Sequence, residues 1–252
     1  MSDAPFHAEP GARIDGFLIE ELLHEGGMSR LWRVSHDDIA GPLLMKVPTM
    51  REGDDPGAIV SFEMEQMILP RLAGPHVPRF VASGDFQVLP YLVMEHVAGA
   101  SLLPMLKRLP LAEAELAALG ARIATALADL HQQHIVHLDV KPSNILLREN
   151  GGVVLIDYGL ARHMHLPDLI QEEFRLPYGT APYMAPEQVL GNRSDFRSDQ
   201  FALGALLYFF ATGVRPFGDP QKLKGLKKRI WRDPAPPRTL NPALSPAMQE
   251  II

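Results

Sequence analysis

The stretch HLDVKPSN, residues 137–144, places an acid, a lysine and an amide close together as Asp139, Lys141 and Asn144. The segment before it, Leu111 to His134, is rich in alanine and leucine, with leucines at steps of three and four that predict an amphipathic helix. The segment after it is apolar. Three polar groups on a loop between two such elements indicate a site, and the rest of the chain has to supply its partners.

The first hundred residues are typical of short strands with one helix. The strand-like pieces are GFLIEELL, SRLWRVSH, PLLMKVP, PHVPRFVASGDF and LPYLVMEHV, and helical spacing runs from Ile59 to Leu72. After about residue 100 the pattern is mostly helical. It predicts a second apolar helix at Asp195 to Gly213, a basic helix at Asp219 to Trp231 and a final helix from about Ala247, with a long irregular region before Pro186.

These patterns predict an α+β fold with two lobes. We expect a loose arm at residues 1–13, a small β-rich lobe at about 14–96, a connector at about 95–100 and a larger helical lobe at about 101–252. A cleft between two lobes is a common place for a ligand.

Composition excludes several classes of function. The 252 residues include no cysteine, which rules out disulfides, thiol catalysis and zinc-thiolate sites and suits a reducing cytoplasm. A net charge of −6 gives no overall footprint for nucleic acid. The longest apolar run, FALGALLYFFATG from Phe201, is shorter than the ~20 residues that a membrane span requires. No signal sequence opens the chain, so we expect a cytoplasmic protein without a membrane segment.

Lys46 lies in the apolar strand LLMKV, where a buried cation needs a partner or a cleft. The acidic candidates are Glu63 and Glu65 on the following helix, and the alternative is a lysine that only extends to solvent from a sheet edge. The strand in VLIDYG ends in Asp157, and a carboxylate there would reach the mouth of a cleft.

Phosphoryl transfer needs phosphates held by a loop and a lysine, a metal held by oxygen ligands, and an acid that orients the attacking hydroxyl. The turn EGGMS, with Gly26 and Gly27, offers backbone amides to a phosphate, although such a turn is often only a hairpin. Asn144 and Asp157 carry the hard oxygens that Mg²⁺ prefers. The chain supplies each component in order.

The motifs together resemble those of the eukaryotic-like, Hanks-type serine/threonine protein kinases of bacteria. HEGGMSRLW is similar to the Gly-rich loop, LLMK to the strand lysine motif, FEMEQ to the helix glutamate segment and YLVMEHVAG to the strand and hinge. HLDVKPSN is similar to the catalytic loop, DYG to the metal-binding triplet and GTAPYMAPE to the end of the activation segment. The resemblance runs from about Ile14 to the last residue and implies a bilobal kinase fold.

The resemblance assigns roles motif by motif. It implies that Asp139 orients the substrate hydroxyl and accepts its proton, and that Lys141 neutralises charge on the transferred group. It implies that Asn144 and Asp157 hold one or two Mg²⁺ ions, and that Asp199 ties down the backbone of the catalytic loop. The substrates would be ATP and a protein serine or threonine.

The resemblance also implies a nucleotide site. Lys46 would contact the α- and β-phosphates while paired with Glu65, Met94 would be the gatekeeper, and Glu95 and Val97 would offer backbone hydrogen bonds to adenine. The nucleotide-binding residues implied in this way are Leu23, Gly26, Gly27, Leu31, Lys46, Met94, Glu95, Val97 and Leu146.

Four positions depart from the family pattern. His24 and Ser29 stand where the loop usually has glycine, so we expect weaker binding of ATP. Leu44 replaces the usual alanine above adenine and should narrow that pocket, and Tyr158 replaces phenylalanine in the metal-binding triplet.

The activation segment departs further. Leu138 stands where the family often has the arginine that pairs with a phosphorylated residue. Between Asp157 and Glu187 the only serine or threonine is Thr180, and no catalytic-loop arginine awaits Glu172 or Glu173. We therefore expect a kinase that needs no phosphorylation of this segment.

The family resemblance extends to the end of the chain. In the family, Glu187 pairs with an arginine that would lie beyond Ile252, so we expect a truncated helical lobe and an unpaired Glu187. The sequence resembles either the N-terminal part of a longer protein, with a C-terminal fused domain beyond Ile252 as in some bacterial kinases of similar layout, or a cropped domain.

Alternative functions remain open at this stage. The altered Gly-rich loop favours a pseudokinase that binds nucleotide or acts as a scaffold, whereas GTAPYMAPE argues against a kinase of small molecules. The histidines at 131, 134 and 137 and at 163 and 165 are read as structural or solvated rather than as metal ligands. The basic stretch LKGLKKRIWR is read as a solvated face, with an acidic partner as the alternative.

Overall fold

The computed structural model describes residues 8–49, 56–86, 89–173, 177–193, 195–220 and 222–252. The N-terminal part is a sheet with one helix. Its six strands within these ranges run in the order β1-β2-β3-β4-β6-β5, and each neighbouring pair is antiparallel. The elements are β1 (Arg13–Ile14), β2 (Phe17–Glu25), β3 (Ser29–His36), β4 (Ile39–Pro48), α1 (Pro56–Ile68), β5 (Phe80–Ser83) and β6 (Leu92–Glu95).

Alternation along β4 directs its side chains to two different places. Leu43 and Met45 are fully buried in an apolar cluster with Trp32 and Val93. Because successive side chains of a strand point to opposite faces, Leu44 and Lys46 lie on the other face of the sheet, where both line a cleft.

The C-terminal part is mainly helical. Its strands are β7 (Ala100–Ser101), β8 (Ile135–Val136), β9 (Ile145–Leu147), β10 (Val153–Leu155) and β11 (Arg162–His163). Its α-helices are α2 (Glu113–Gln132), α3 (Leu169–Glu173), α4 (Pro186–Val189), α5 (Arg197–Thr212), α6 (Leu223–Leu226), α7 (Pro237–Leu240) and α8 (Pro246–Ile251). The 3₁₀ turns in the described residues are Leu69–Arg71, Leu103–Arg108, Pro142–Asn144 and Lys227–Ile230.

Helices α2 and α5 pack against each other and form the centre of the core of the helical lobe. The predicted stripe of α2, which includes Leu116, Leu119 and Ile123, is buried, with no side chain more than 3% exposed. Full burial of such a side chain contributes about 1.5–3 kcal/mol, so this stripe fixes the helix that precedes the catalytic-loop stretch. Helix α5 ends at Gly213, which adopts a left-handed conformation (φ 74°) and donates its N–H to the carbonyl of Phe209.

The chain passes from one part to the other through His96–Gly99, between β6 and β7. Strand β7 already pairs with β9 of the lower part. Across the connection, Arg148 donates a hydrogen bond to Glu95 at 2.8 Å, an ion pair that sequence reasoning missed. We propose this connection as the hinge between the lobes.

The structure corrects three expectations about the elements. The basic helix predicted at Asp219 to Trp231 is wrong, because Lys222 is extended and only a short α6 followed by a 3₁₀ turn forms there. The region before Pro186 is not wholly irregular, since it contains β11 and α3. Of the predicted arm, residues 1–7 lie outside the described residues, whereas residues 11–13 are already hydrogen-bonded or paired with β2.

Candidate active site

A cleft of about 770 Å³ separates the sheet from the helical lobe. It is lined by polar side chains from several separate segments, among them Lys46, Glu65, Asp139, Asn144 and Asp157. Small-molecule sites in proteins are commonly ~300–1,000 Å³, so a nucleotide fits the available space. The structure therefore brings together groups that the sequence separates by more than a hundred residues.

Lys46 is paired inside the cleft. Its Nζ lies 2.5 Å from Glu65 Oε2 and 3.2 Å from Asp157 Oδ1, and the Glu65 side chain is only 2% exposed. This arrangement excludes the alternative of a lysine that merely reaches solvent. Glu63, the other acidic candidate, is exposed on the opposite side of α1, because residues two apart in a helix do not share a face.

Mutual contacts determine the charges of this cluster. Burial disfavours the ammonium form of Lys46, but Asp157 and Glu65 outweigh this effect and raise the pKa of Lys46. Lys46 holds the pKa of Asp157 below its ordinary value, against partial burial. Burial raises the pKa of Glu65, with Lys46 opposing. At neutral pH the cleft thus presents a fixed cation beside the Asp157 anion.

Asp139 is 6% exposed and holds polar groups on both of its carboxylate oxygens. Lys141 Nζ and Asn144 Nδ2 donate to Oδ2 at 2.6 and 3.1 Å. The backbone N–H and the hydroxyl of Thr180 donate to Oδ1 at 3.0 and 2.6 Å. A hydroxyl is therefore already accommodated at the oxygen where a substrate hydroxyl would have to be oriented.

The backbone next to Asp139 is fixed by hydrogen bonds to Asp199 of α5. Asp199 is fully buried, and its two oxygens accept the N–H groups of His137 and Leu138, each at 2.8 Å. Leu138 has a positive φ of 61°, a conformation that costs a residue other than glycine free energy. These bonds confirm the predicted role of Asp199 and compensate that cost.

Tyr158 fixes the loop that begins at Asp157. Its fully buried ring packs against His137, with ring centroids 5.3 Å apart, and its hydroxyl donates to the carbonyl of Leu155 at 2.9 Å. Its N–H donates to Glu65 Oε1 at 3.2 Å. The loop of the metal-binding motif is thereby tied to the glutamate that pairs with Lys46.

Comparison with known proteins identifies the family to which the chain belongs. A family model described as the protein kinase domain matches residues 17–250. The chain belongs to the protein kinase family.

Several bacterial serine/threonine-protein kinases are similar to this kinase domain. The chain is 32% identical to the serine/threonine-protein kinase Pkn1 of Myxococcus xanthus, with 96% of this chain and 35% of the relative covered. It is 31% identical to the serine/threonine-protein kinase pkn3 of the same organism (94% and 45%) and 33% identical to the serine/threonine-protein kinase PkaA of Streptomyces coelicolor (89% and 44%). The chain thus spans less than half the length of these relatives.

The side of the cleft where the family resemblance predicts adenine is mainly apolar. Leu31, Leu44, Met94, Val97 and Leu146 line it, and within the described residues the Val97 N–H has no hydrogen-bond acceptor. That N–H is available to a base. Leu23 is the exception among the predicted residues.

Leu23 is 37% exposed and does not line the cleft within the described residues. The β2–β3 register skips from Leu22 to His24, so Leu23 sits at an irregularity of the ladder, and His24, opposite Leu31, faces the cleft instead.

The phosphate side of the cleft carries the unusual residues of the Gly-rich loop. Gly26 and Gly27 line it together with His24 and Ser29. A Cβ on Gly26 would lie 3.3 Å from His24 Nε2, so the glycine leaves room for the imidazole at this turn. The loop therefore presents a ring and a hydroxyl where the family usually has backbone alone.

The polar floor fits a nucleotide-bound magnesium ion. Asp157 and Asn144 line the cleft and carry oxygens, and the described residues contain no cluster of three or more acidic, histidine or cysteine side chains arranged to hold a metal. Mg²⁺ is typically held by one or two protein carboxylates together with substrate phosphates, and the oxygens of Asp157 and Asn144 match this preference.

Two further contacts were not foreseen from the sequence. Gln188 is 3% exposed and donates to the carbonyl of Leu138, which ties α4 to the catalytic loop, and no sequence signal marks it. Glu187 was predicted to be unpaired, and this is wrong: its Oε1 accepts the hydroxyl of Ser198 at 2.7 Å, and the residue is only half-buried.

None of the helices in the described ranges is long and apolar enough to cross a membrane.

Proposed function

We propose that this kinase domain transfers the γ-phosphoryl group of ATP to serine or threonine hydroxyls of protein substrates, as a cytoplasmic step in bacterial signalling. The observation that carries the proposal is the environment of Asp139, whose Oδ1 already accepts a threonine hydroxyl at 2.6 Å. The bacterial serine/threonine kinases among its relatives support the same assignment.

In this proposal the substrate hydroxyl takes the place of the Thr180 hydroxyl at Asp139. Asp139 accepts the proton as the substrate oxygen forms its bond to the γ-phosphorus and the bond to the β-phosphate oxygen breaks. Lys141, 2.6 Å from Asp139, is placed to neutralise the transferred group, and Lys46 to hold the phosphates that become ADP. Asn144 and Asp157 would hold Mg²⁺, which neutralises phosphate charge when bound.

The proposal includes independence from phosphorylation of the activation segment, residues 157–187. Leu138 offers no guanidinium to a phosphate, and apart from Thr180 the segment contains no serine or threonine. Activity that survives phosphatase treatment supports this part of the proposal, and activity that phosphatase abolishes through this segment contradicts it.

One observation favours a second candidate, a pseudokinase that binds nucleotide without transfer. His24 and Ser29 line the phosphate side of the cleft, where they take space from the triphosphate. The relatives are more than twice as long as the part matched here, so a scaffold role beside another domain is compatible with this candidate.

The test is transfer from labelled ATP with Mg²⁺ to a generic basic protein, next to Asp139→Asn and next to a panel of small metabolites. We expect phosphoserine or phosphothreonine, and a rate about 10²–10⁴-fold lower in the variant, the usual contribution of a general base. Nucleotide binding without transfer in the folded wild type favours the pseudokinase. Transfer to metabolites alone contradicts a protein substrate.

A further inference from the structure

A buried ion pair connects the activation segment to a residue that follows it in the chain. Asp168 lies within the segment and Arg193 follows α4, and each is 7% exposed. Arg193 Nε donates to Asp168 Oδ2 at 2.9 Å. The lysine, acids and amide of the proposed chemistry do not contact this pair, so it requires a different explanation.

Arg193 connects two points of the segment. While Nε binds Asp168, Nη2 donates to the carbonyl of Leu160 at 2.8 Å, three residues after Asp157. One guanidinium therefore fixes both the exit of the metal-binding motif and a position eight residues further on. Only a group with several donors in a rigid plane can make both bonds at once.

Asp168 also fixes the start of α3. Its Oδ1 accepts the N–H of Gln171 at 3.2 Å, and its carbonyl accepts the N–H of Glu172 at 3.0 Å. Helix α3 packs against α1 and buries Ile170 in the core. Since α1 carries Glu65, the contacts run from Arg193 through Asp168 and α3 to the helix that pairs with Lys46.

The charge of Asp168 has no substitute nearby. Arg162 Nη1 lies 3.8 Å from the same Oδ2 that binds Arg193. In the described parts of the chain, no other carboxylate lies within 4 Å of either guanidinium. Neutralising Asp168 would leave two poorly solvated cations facing each other, so the segment would move to separate or hydrate them.

We propose that Asp168 and Arg193 are positioning residues that hold the activation segment and α1 in the arrangement for phosphoryl transfer, with a permanent carboxylate in place of a phosphate. This inference rests on the proposed function. It adds a physical anchor for a segment that has no serine or threonine besides Thr180 and no catalytic-loop arginine.

The experiment compares Asp168→Asn with the wild type in the kinase assay and by amide hydrogen exchange. Asp37→Asn makes the same chemical change in an exposed ion pair with Arg13 and serves as the matched control. We expect Asp168→Asn to lower kcat roughly 10- to 100-fold, the size of effect that a displacement of about 1 Å can have, while KM for ATP and the control variant stay near wild type. Exchange should accelerate in α3 and at residues 160–163.

Three further variants separate positioning from plain stability. Asp168→Glu restores the charge and should recover part of kcat. Arg193→Gln should lower kcat as Asp168→Asn does, and the double variant should be no worse than either single variant, since the two act as one unit. Exchange in α2 and the thermal midpoint report whether the whole lobe is weakened.

Wild-type kcat and wild-type exchange of α3 in Asp168→Asn would overturn the inference, as would additive losses in the double variant. A loss that comes with faster exchange throughout α2 and α5 would also overturn it, because the pair would then be purely structural. If the wild type transfers no more label than Asp139→Asn, the proposed function fails, and exchange still decides whether the anchor exists.

Discussion

Replacing Asp199 with asparagine tests how the catalytic loop is held. Asp199 is fully buried and accepts three hydrogen bonds: His137 N–H and His131 Nε2 on one oxygen and Leu138 N–H on the other, each at 2.8 Å. Asparagine has nearly the same shape but only one oxygen. Whichever way its amide turns, an N–H group of the side chain must face a backbone N–H.

The cost follows from these contacts. One buried donor loses its acceptor, which costs about 1–3 kcal/mol, and the remaining bonds lose the assistance of a charge, which costs a further ~1 kcal/mol. We therefore expect the free energy of unfolding to fall by about 3 kcal/mol. The orientation that keeps the contacts of His131 and His137 turns the side-chain NH₂ toward Leu138, at φ 61°. Leu138 then loses the bond that compensates its conformation, so the loop should relax and displace Asp139. A displacement of about 1 Å is enough to lower kcat ~10²-fold.

Urea unfolding followed by tryptophan fluorescence measures the free energy of unfolding, because Trp32 is buried in the core of the N-terminal sheet and should report unfolding. Phosphate transfer at urea concentrations well below the unfolding midpoint measures kcat. Asp37→Asn, on an exposed residue, is the control for the chemical change itself. A loss of less than about 1 kcal/mol together with wild-type kcat would refute the reasoning, since a single ordinary hydrogen bond is worth that much.

Three smaller changes probe the rest of the cleft. Tyr158→Phe removes only the hydroxyl that binds the Leu155 carbonyl and should lower the free energy of unfolding by about 1–3 kcal/mol; a loss below about 0.5 kcal/mol in urea unfolding would contradict this. Asp157→Asn removes a carboxylate whose pKa in the folded protein is lowered by Lys46. The stability that this carboxylate contributes should therefore be present above its unfolded pKa of ~3.9 and disappear as the pH falls through the lower folded pKa. A stability difference between wild type and variant that grows as the pH falls would contradict this prediction. His24→Gly opens the phosphate side of the cleft and should tighten ATP binding by calorimetry severalfold, roughly 1 kcal/mol, whereas weaker binding would show that the imidazole contacts the phosphates.

Periodicity and motif spacing were sufficient to predict the lobes and most of the cleft. The leucine steps of α2 are a physical consequence of one buried face, so the helix could be read from the sequence. The residues around Lys46 left open whether it lies in a cleft or at a sheet edge; the family resemblance favoured the cleft, and Lys46 lines it. The choice of Glu65 over Glu63 came from family spacing, and the buried position of Glu65 agrees with it.

The missed features depend on contacts between distant segments or on local irregularities. The Glu95–Arg148 and Asp168–Arg193 pairs join residues 53 and 25 positions apart, and no periodic pattern marks them. Leu23 does not line the cleft as predicted, because the β2–β3 ladder skips one residue there. Such an irregularity moves a side chain to another face without changing the strand pattern of the sequence. The basic helix failed because charge spacing alone cannot supply the tertiary packing on which most helices depend.

Asp199 and Asp168 meet the same physical requirement at two places beside the cleft. Each is a buried carboxylate that accepts hydrogen bonds from neighbouring segments, and each therefore stabilises one arrangement of a loop over its alternatives. Asp199 accepts mainly backbone N–H groups, so it selects one path of the catalytic loop. Asp168 faces guanidinium groups, so it acts on a segment that many kinases order with a phosphate. A carboxylate cannot be removed by a phosphatase, so an anchor of the proposed kind would keep this segment ordered without a phosphate.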